Sequence, residues 1–333
     1  MDEAPAKAAF EPAAREALTA FGIAPAALAF ANVSENVTFK VTDARDGAAY
    51  VLRLHRPWYH SFEELTSEHL WTQALAESGV AVPRPVPTLD GGDYVQVAIE
   101  ATGERRWAGL SRWIGGEVLF DVMDREPDPA VGEGHFERLG EIMAAMHNQA
   151  VAWASPPAFR RHALDENALM GETPFWGPFW DHAALTPGDR SLLLATRHRI
   201  HAALVRLGKD PATYSVIHAD LHPGNVLIDG GHLAVIDFDD AGFGWHHYDL
   251  AVALVHQQAH AHFAGFRDAC VRGYRQVRAL PDAALDLLPM FMLIRGMVQI
   301  GWLHQRPELG TPESFAANKD RICAEAEAFE AAC

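Results

Sequence analysis

The segment from His218 to Asp240, HADLHPGNVLIDGGHLAVIDFDD, constrains this chain more than any other. Two short apolar runs, NVLI and HLAVIDF, flank Asp-Gly-Gly, a strong hairpin-turn signal. The segment therefore reads as a β-hairpin with its midpoint at residue 231, inside the turn. Its strands run antiparallel. Asn225 starts the first strand and Asp237 lies near the end of the second, so the two side chains come roughly opposite one another at the open end. Asp220, five residues before Asn225, sits on the loop that feeds the same end.

The residue types in this segment admit more than one chemistry. His218, Asp220, His222 and Asp237 could clamp a zinc ion in a hydrolase, since zinc favours His ligands and needs three protein ligands in a catalytic site. Alternatively, the Asn225 amide and the Asp237 carboxylate supply two hard oxygen ligands of the kind Mg²⁺ takes beside waters and phosphate oxygens. Asp220 is then free to orient a hydroxyl and accept its proton. Phosphoryl transfer needs little more than such positioning and charge neutralisation. No H-E-x-x-H or comparable zinc motif occurs elsewhere in the chain, which weighs against the hydrolase. A third reading, a module that holds nucleotide without turnover, is disfavoured by the joint retention of Asp220, Asn225 and Asp237.

The spacing points further. His218-x-Asp220-x₄-Asn225 matches the His-Arg-Asp-x₄-Asn loop of protein kinases, and Asp237-Phe238 follows one hairpin later, as the magnesium-binding Asp-Phe-Gly does. The whole segment resembles the aminoglycoside phosphotransferase family, whose hallmark reads H-[GA]-D-[LF]-H-x-G-N-[IV]-L followed by [VI]-D-[FW]-[DE]. The following GWHHYDLAVAL also resembles that family. The resemblance extends over most of the chain and is strongest at 218–240. YVLRLHRP resembles the strand that directs a cation at the nucleotide phosphates, and TSEHLW resembles the helix that carries its acidic partner.

The resemblance implies an α+β, bilobal protein-kinase-like fold with a small β-rich N-lobe and a larger, mainly helical C-lobe. It implies an ATP- and Mg²⁺-dependent phosphotransferase acting on an alcohol group. Arg53 would meet the phosphates and Glu68 would pair with it. Ser34 and Asn36 would act as donors in the phosphate-covering loop NVSEN, and Trp113 and Ile114 would be the hinge groups that hold adenine. Asp220 would be the base and Asn225 and Asp237 the metal ligands. His218 would buttress the loop, His222 would line the entrance, and Asp249 would brace the loop from the next helix. Two departures stand out: the first hairpin lacks G-x-G-x-x-G, and Arg53 stands where Lys is commoner, which changes reach and geometry.

Length and periodicity agree with two lobes. A chain of 333 residues is too long for one small core. Residues 9–21 place Phe10, Ala14, Leu18 and Phe21 on one side of a helix. Val37, Phe39 and Val41 alternate, turn near Asp46-Gly47, and give way to the alternation of Tyr50, Leu52 and Leu54. A helix over 61–80 and a second hairpin with its loop at 101–104 complete a unit of residues 1–114. Helical patterns dominate 115–333, including 135–150, 187–207 and three helices after residue 247, and the only clear strands expected there lie in the opening segment. HQQAHAHF sets two histidines at i, i+4 of a predicted helix, and TPFWGPFW could line a pocket or pack a core.

The acceptor is expected to be a hydroxyl of a small molecule (amino alcohol, homoserine-like or sugar) or of protein Ser/Thr. A formal net charge of −17 disfavours general binding of nucleic acid or anionic membrane. Three cysteines with no C-x-x-C pair fit a reducing cytoplasm. The N-terminal segment lacks the long apolar run of a signal peptide. The apolar stretch 287–303, interrupted by Pro289, Arg295 and Gln299, reads as a buried core helix.

Overall fold

The computed structural model describes residues 3–33, 36–307 and 311–332. The chain divides into two compact units. The first contains residues 1–117, 154–161 and 227–236, and the second contains 118–153, 162–226 and 237–333.

The first unit begins with helix α1 (Glu3–Ala20), then strands β1 (Pro25–Val33), β2 (Val37–Asp43) and β3 (Ala49–Leu54), helix α2 (Phe62–Glu77), and strands β4 (Pro85–Val86), β5 (Tyr94–Ile99) and β6 (Glu104–Arg112). The antiparallel sheet runs β1-β2-β3-β6-β4, with β5 also on β6. Strict alternation explains its inner face: Val37, Phe39 and Val41 of β2 and Tyr50, Leu52 and Leu54 of β3 are buried, while their neighbours are half-exposed. Phe10, Ala14, Leu18 and Phe21 join the same core from α1 and the turn after it.

Helix α2 starts with a reciprocal cap. The Ser61 hydroxyl accepts from the Glu64 N–H, and the Glu64 carboxylate accepts from the Ser61 N–H. Its middle is tied to the sheet by Tyr94, whose buried hydroxyl donates to the Leu65 carbonyl at 2.9 Å and whose ring stacks on His69 at 4.3 Å. These contacts fix the turn of α2 that carries Glu68.

The rest of the chain continues with strand β7 (Glu117–Val118) and helices α3 (Leu119–Arg125), α4 (Pro129–Ala152), α5 (Glu166–Met170) and α6 (Pro187–Leu207). Strands β8 (Tyr214–Ile217), β9 (Val226–Asp229), β10 (His232–Val235) and β11 (Gly242–Trp245) follow. Helices α7 (His246–Val255), α8 (Phe263–Val277), α9 (Asp282–Leu285), α10 (Leu288–His304) and α11 (Pro312–Ala332) end it. Strands β9 and β10 are the expected hairpin, and Gly230 and Gly231, both at positive φ, make its two-residue turn.

Three expectations change. Three helices are expected after residue 247; among the described residues α7, which starts at His246, is followed by four more, α8 to α11. Strands β8 and β11 lie outside the opening segment, pairing Ile217 with Gly242 and Val216 with Phe243. They draw residues 218–241 into one closed excursion. Residues 256–262 form turns rather than helix, so the two histidines do not share a helix face.

Helices α4 and α8 approach backbone to backbone at Gly140 and Gly273, where an added Cβ would strike the partner helix's main chain. The region Asp282–His304 is long and apolar enough to cross a membrane, but 61% of its apolar window is buried, as a core helix requires. In the aromatic patch, Trp176 and Phe179 are buried and Trp176 stacks on Tyr248, so these residues pack the core.

Candidate active site

Asp249, wholly buried on α7, organises the loop that leaves β8. Its carboxylate accepts the N–H groups of His218 at 3.1 Å and Ala219 at 2.7 Å. Ala219 adopts φ +67°, a left-handed conformation that costs an L-residue about 1 kcal/mol or more. That conformation turns two successive amides toward one acceptor. Asp249 also meets His147 Nε2 at 3.0 Å, while the other ring nitrogen of His147 lies 2.9 Å from the Tyr274 hydroxyl. An ionised Asp249 requires the proton on Nε2, so the Tyr274 O–H donates to Nδ1. Burial pushes the Asp249 carboxyl up to about 6, against the pull of His218 and the two amides. Burial likewise holds His147 well below its ordinary value.

His218 is fully buried and its Nδ1 accepts the Asp220 N–H at 3.2 Å. The Phe238 ring packs against it, with centroids 4.6 Å apart. His218 is thus built into the interior as a hydrogen-bonding prop. Among the described residues, His218, Asp220, His222 and Asp237 do not gather into a metal-ligand cluster.

The Asp220 carboxylate is held from three sides. Arg295 Nη2 lies 2.5 Å from Oδ1, Asn225 Nδ2 donates to Oδ2 at 2.9 Å, and His222 Nε2 stands 3.4 Å from Oδ2. Burial alone would raise its pKa. Arg295 foremost, then His222 and His218, outweigh burial and hold the carboxyl below the usual range. His222 also caps the short 3-10 turn Pro223–Asn225, its Nδ1 accepting the Gly224 N–H at 3.0 Å.

Asn225 has a determined orientation. Its amide nitrogen faces both the main-chain carbonyl and the carboxylate of Asp220, each at 2.9 Å, and both are acceptors. The NH₂ group must therefore point there, which leaves the amide oxygen as the end suited to a hard cation. Asp237, at φ +66°, follows the hairpin whose other strand begins next to Asn225, so these two residues flank its open end.

In the first unit, Arg53 of β3 and Glu68 of α2 come together, Nη1 to Oε1 at 3.5 Å. The Asn36 amide oxygen accepts the Arg56 N–H at 2.9 Å, so its NH₂ end is the one suited to phosphate. Ser34 lies outside the described residues. Trp113 follows β6, and its N–H donates to the Ala49 carbonyl at 3.1 Å, which takes that donor away from a base. Its indole carries the Lys40 ammonium 4.3 Å from the ring centre. Ile114, next in the chain, is half-buried.

Comparison with known proteins meets this geometry. The family model described as "Phosphotransferase enzyme family" matches residues 26–285. The chain belongs to the phosphotransferase enzyme family. An amicoumacin kinase of Bacillus subtilis (strain 168) is 27% identical over 311 residues, covering 89% of this chain and 85% of that protein. A homoserine kinase of Brucella canis is 34% identical over 233 residues, covering 67% and 62%. The structure of a microcompartment-associated aminopropanol kinase superposes with a TM-score of 0.80 at 31% identity, covering 94% of both chains. These likenesses establish the α+β, protein-kinase-like fold and a phosphotransferase acting with kinase chemistry.

Arg295 escaped the sequence reading of this phosphotransferase except as an interruption in an apolar run. The signal was there: a lone arginine amid Met292, Leu293, Ile294, Met297 and Val298 needs a buried partner. Which partner it takes is a tertiary fact, 75 positions away in sequence.

Proposed function

We propose that this phosphotransferase moves the γ-phosphoryl group of ATP, with Mg²⁺, to a hydroxyl of a small molecule that also carries an amine. The observation that carries the reading is the 2.9 Å contact from the Asn225 amide to the Asp220 carboxylate. It sets a carboxylate beside an amide whose oxygen is turned away from it. Asp220 orients the acceptor hydroxyl and takes its proton as the new O–P bond forms and the bond to the β-phosphate oxygen breaks. Asn225 and Asp237 hold the divalent cation, a role that suits an outward amide oxygen and a carboxylate. That cation, when bound, neutralises charge on the phosphate oxygens.

Arg53, aimed by Glu68, holds the α/β-phosphates. The Asn36 amide covers them, with Ser34 beside it by resemblance. The Trp113 carbonyl and Ile114 offer backbone groups to adenine. His218 and Asp249 support the loop, and His222 stands at Asp220 on the acceptor side.

Support for the acceptor class comes from the relatives. Aminopropanol and homoserine each join a hydroxyl to an amine on a short carbon frame. The solved amicoumacin kinase complex contains AMP-PNP and Ca²⁺, in keeping with an adenine nucleotide and a divalent cation. Buried free Cys270 and Cys323 suit a cytoplasmic enzyme, and the net charge of −17 suits one without nucleic-acid or membrane partners.

The test is an ATP-consumption screen with Mg²⁺ over 1-amino-2-propanol, ethanolamine, choline, homoserine, simple sugars and a generic Ser/Thr protein substrate. Turnover with an amino alcohol or amino acid is expected. Turnover confined to the protein substrate would overturn the acceptor class, and a nucleotide-induced thermal shift without any turnover would overturn the enzyme reading.

A further inference from the structure

Helix α10 is almost wholly apolar and buried, yet Arg295 sits in its middle with its side chain only 10% exposed. A buried guanidinium is costly unless it is paired and fully hydrogen-bonded. Arg295 is paired, through Nη2, with Oδ1 of Asp220 at 2.5 Å. A buried ion pair is a poor device for stability alone, since apolar side chains would fill the same space at less cost.

The same helix reaches the loop a second time. One turn after Arg295, the Gln299 amide meets His256 at 3.2 Å, and the His256 ring stands edge-on to His222 with centroids 5.6 Å apart. His222 in turn stands 3.4 Å from Oδ2 of Asp220. Helix α10 thus touches Asp220 directly through Arg295 and indirectly through Gln299, His256 and His222. Both routes end at one carboxylate.

We propose that Arg295 is the positioning residue of the base: its guanidinium pins Oδ1 of Asp220, stops rotation of the carboxylate and fixes the direction in which it meets the acceptor hydroxyl. The inference rests on the reading of Asp220 as the base. With Oδ1 held by Arg295 and Oδ2 by Asn225, the carboxylate plane is set by two donors on different elements, α10 and the 218–225 loop. A carboxylate oxygen has two lone-pair directions; Asn225 and His222 both face Oδ2, so the oxygen that Arg295 holds, Oδ1, is the one that keeps a lone pair for the hydroxyl. Arginine suits this duty because its planar fork fixes direction, whereas a lysine supplies charge without orientation.

The experiment compares R295M, R295K, D220N and the double variant D220N/R295M with the unaltered enzyme. Each is assayed with ATP, Mg²⁺ and 1-amino-2-propanol. Slow ATP hydrolysis, in which water replaces the acceptor, is measured in parallel, alongside thermal melting. R295M should lower kcat about a hundredfold, the scale of a small misplacement of a reacting group, with the KM for ATP held within about twofold. R295K should recover part of that loss. In the D220N background the same change should alter residual kcat by less than about twofold, because the effect runs through Asp220. Equal losses in both backgrounds would show a merely structural role and overturn the proposal. Where R295M does not fold, R295K decides the question: a lower kcat at unchanged melting temperature supports it, and an unaltered kcat overturns it. D220N with undiminished turnover would overturn the base reading itself. An inactive D220N beside an R295K of unaltered kcat would overturn only the role of Arg295.

Discussion

The Phe238 ring lies against His218 with centroids 4.6 Å apart, and this contact joins the two halves of the motif through the protein interior. His218 belongs to the loop that presents Asp220, and Phe238 follows Asp237. Removing the ring should loosen both at once. Phe238→Ala should lower stability by about 3–5 kcal/mol, the usual range for a buried phenylalanine, and should lower kcat as well. Urea unfolding beside steady-state kinetics checks both. A stable variant with unaltered kcat would show that the two halves are aligned by something else.

Arg53 and Glu68 meet at 3.5 Å with their side chains 21% and 10% exposed, so removing the cation strands a largely buried carboxylate. The diagnostic effect of the pair is on nucleotide. Arg53→Met should raise the KM for ATP roughly tenfold or more, as loss of a charge-assisted phosphate contact implies, and should also lower the melting temperature by leaving Glu68 unpaired. Arg53→Lys should recover much of the affinity. Glu68→Gln should fall between them, because the cation remains but loses its aim. Unaltered KM in Arg53→Met would contradict the phosphate role.

Acid should weaken the second unit through its buried histidines. His247, stacked on Phe291, is depressed by burial to about 4 from an ordinary 6.5, and burial also lowers His147 and His246. A lowered histidine pKa means the unfolded chain binds more protons. The stability is therefore present above pH 6.5 and is lost as the pH falls toward 4. For His247 alone this is on the order of 3 kcal/mol. Asp249, raised to about 6, binds its proton more readily when folded and opposes part of this loss below that pH. The urea midpoint should fall between pH 7 and 5, and His247→Met should flatten the slope. An equal slope in that variant would contradict the assignment.

Much of this architecture is legible from the sequence because it is local. The alternation of Val37, Phe39, Val41 and of Tyr50, Leu52, Leu54 states a strand's inner face directly, and Gly230-Gly231 states a turn. Strand β1 is missed because PAALAFANV is rich in alanine and opens on proline, so no period shows. Strands β8 and β11 have four residues each, and GFGW carries two glycines, too short and too plain to signal pairing. The helix expected at 256–262 fails because α7 stops at Val255 and the chain turns.

The site divides the same way. Asp220, Asn225 and Asp237 stand within one hairpin's reach and can be related by counting residues. Arg53 and Glu68 are recognisable only by resemblance, since nothing local tells a strand arginine where it points. Arg295 and the His147–Asp249 contact depend on how α10, α4 and α7 pack, which no short window contains.

The central claim is that Asp220 takes the acceptor's proton while other residues hold the nucleotide. The direct measurement is turnover of Asp220→Ala beside calorimetric titration of the same variant with ATP and Mg²⁺. The expected result is a fall in kcat of roughly 10²–10⁴, the range for loss of a general base, with ATP affinity kept within a few-fold. Turnover near that of the unaltered enzyme would contradict it.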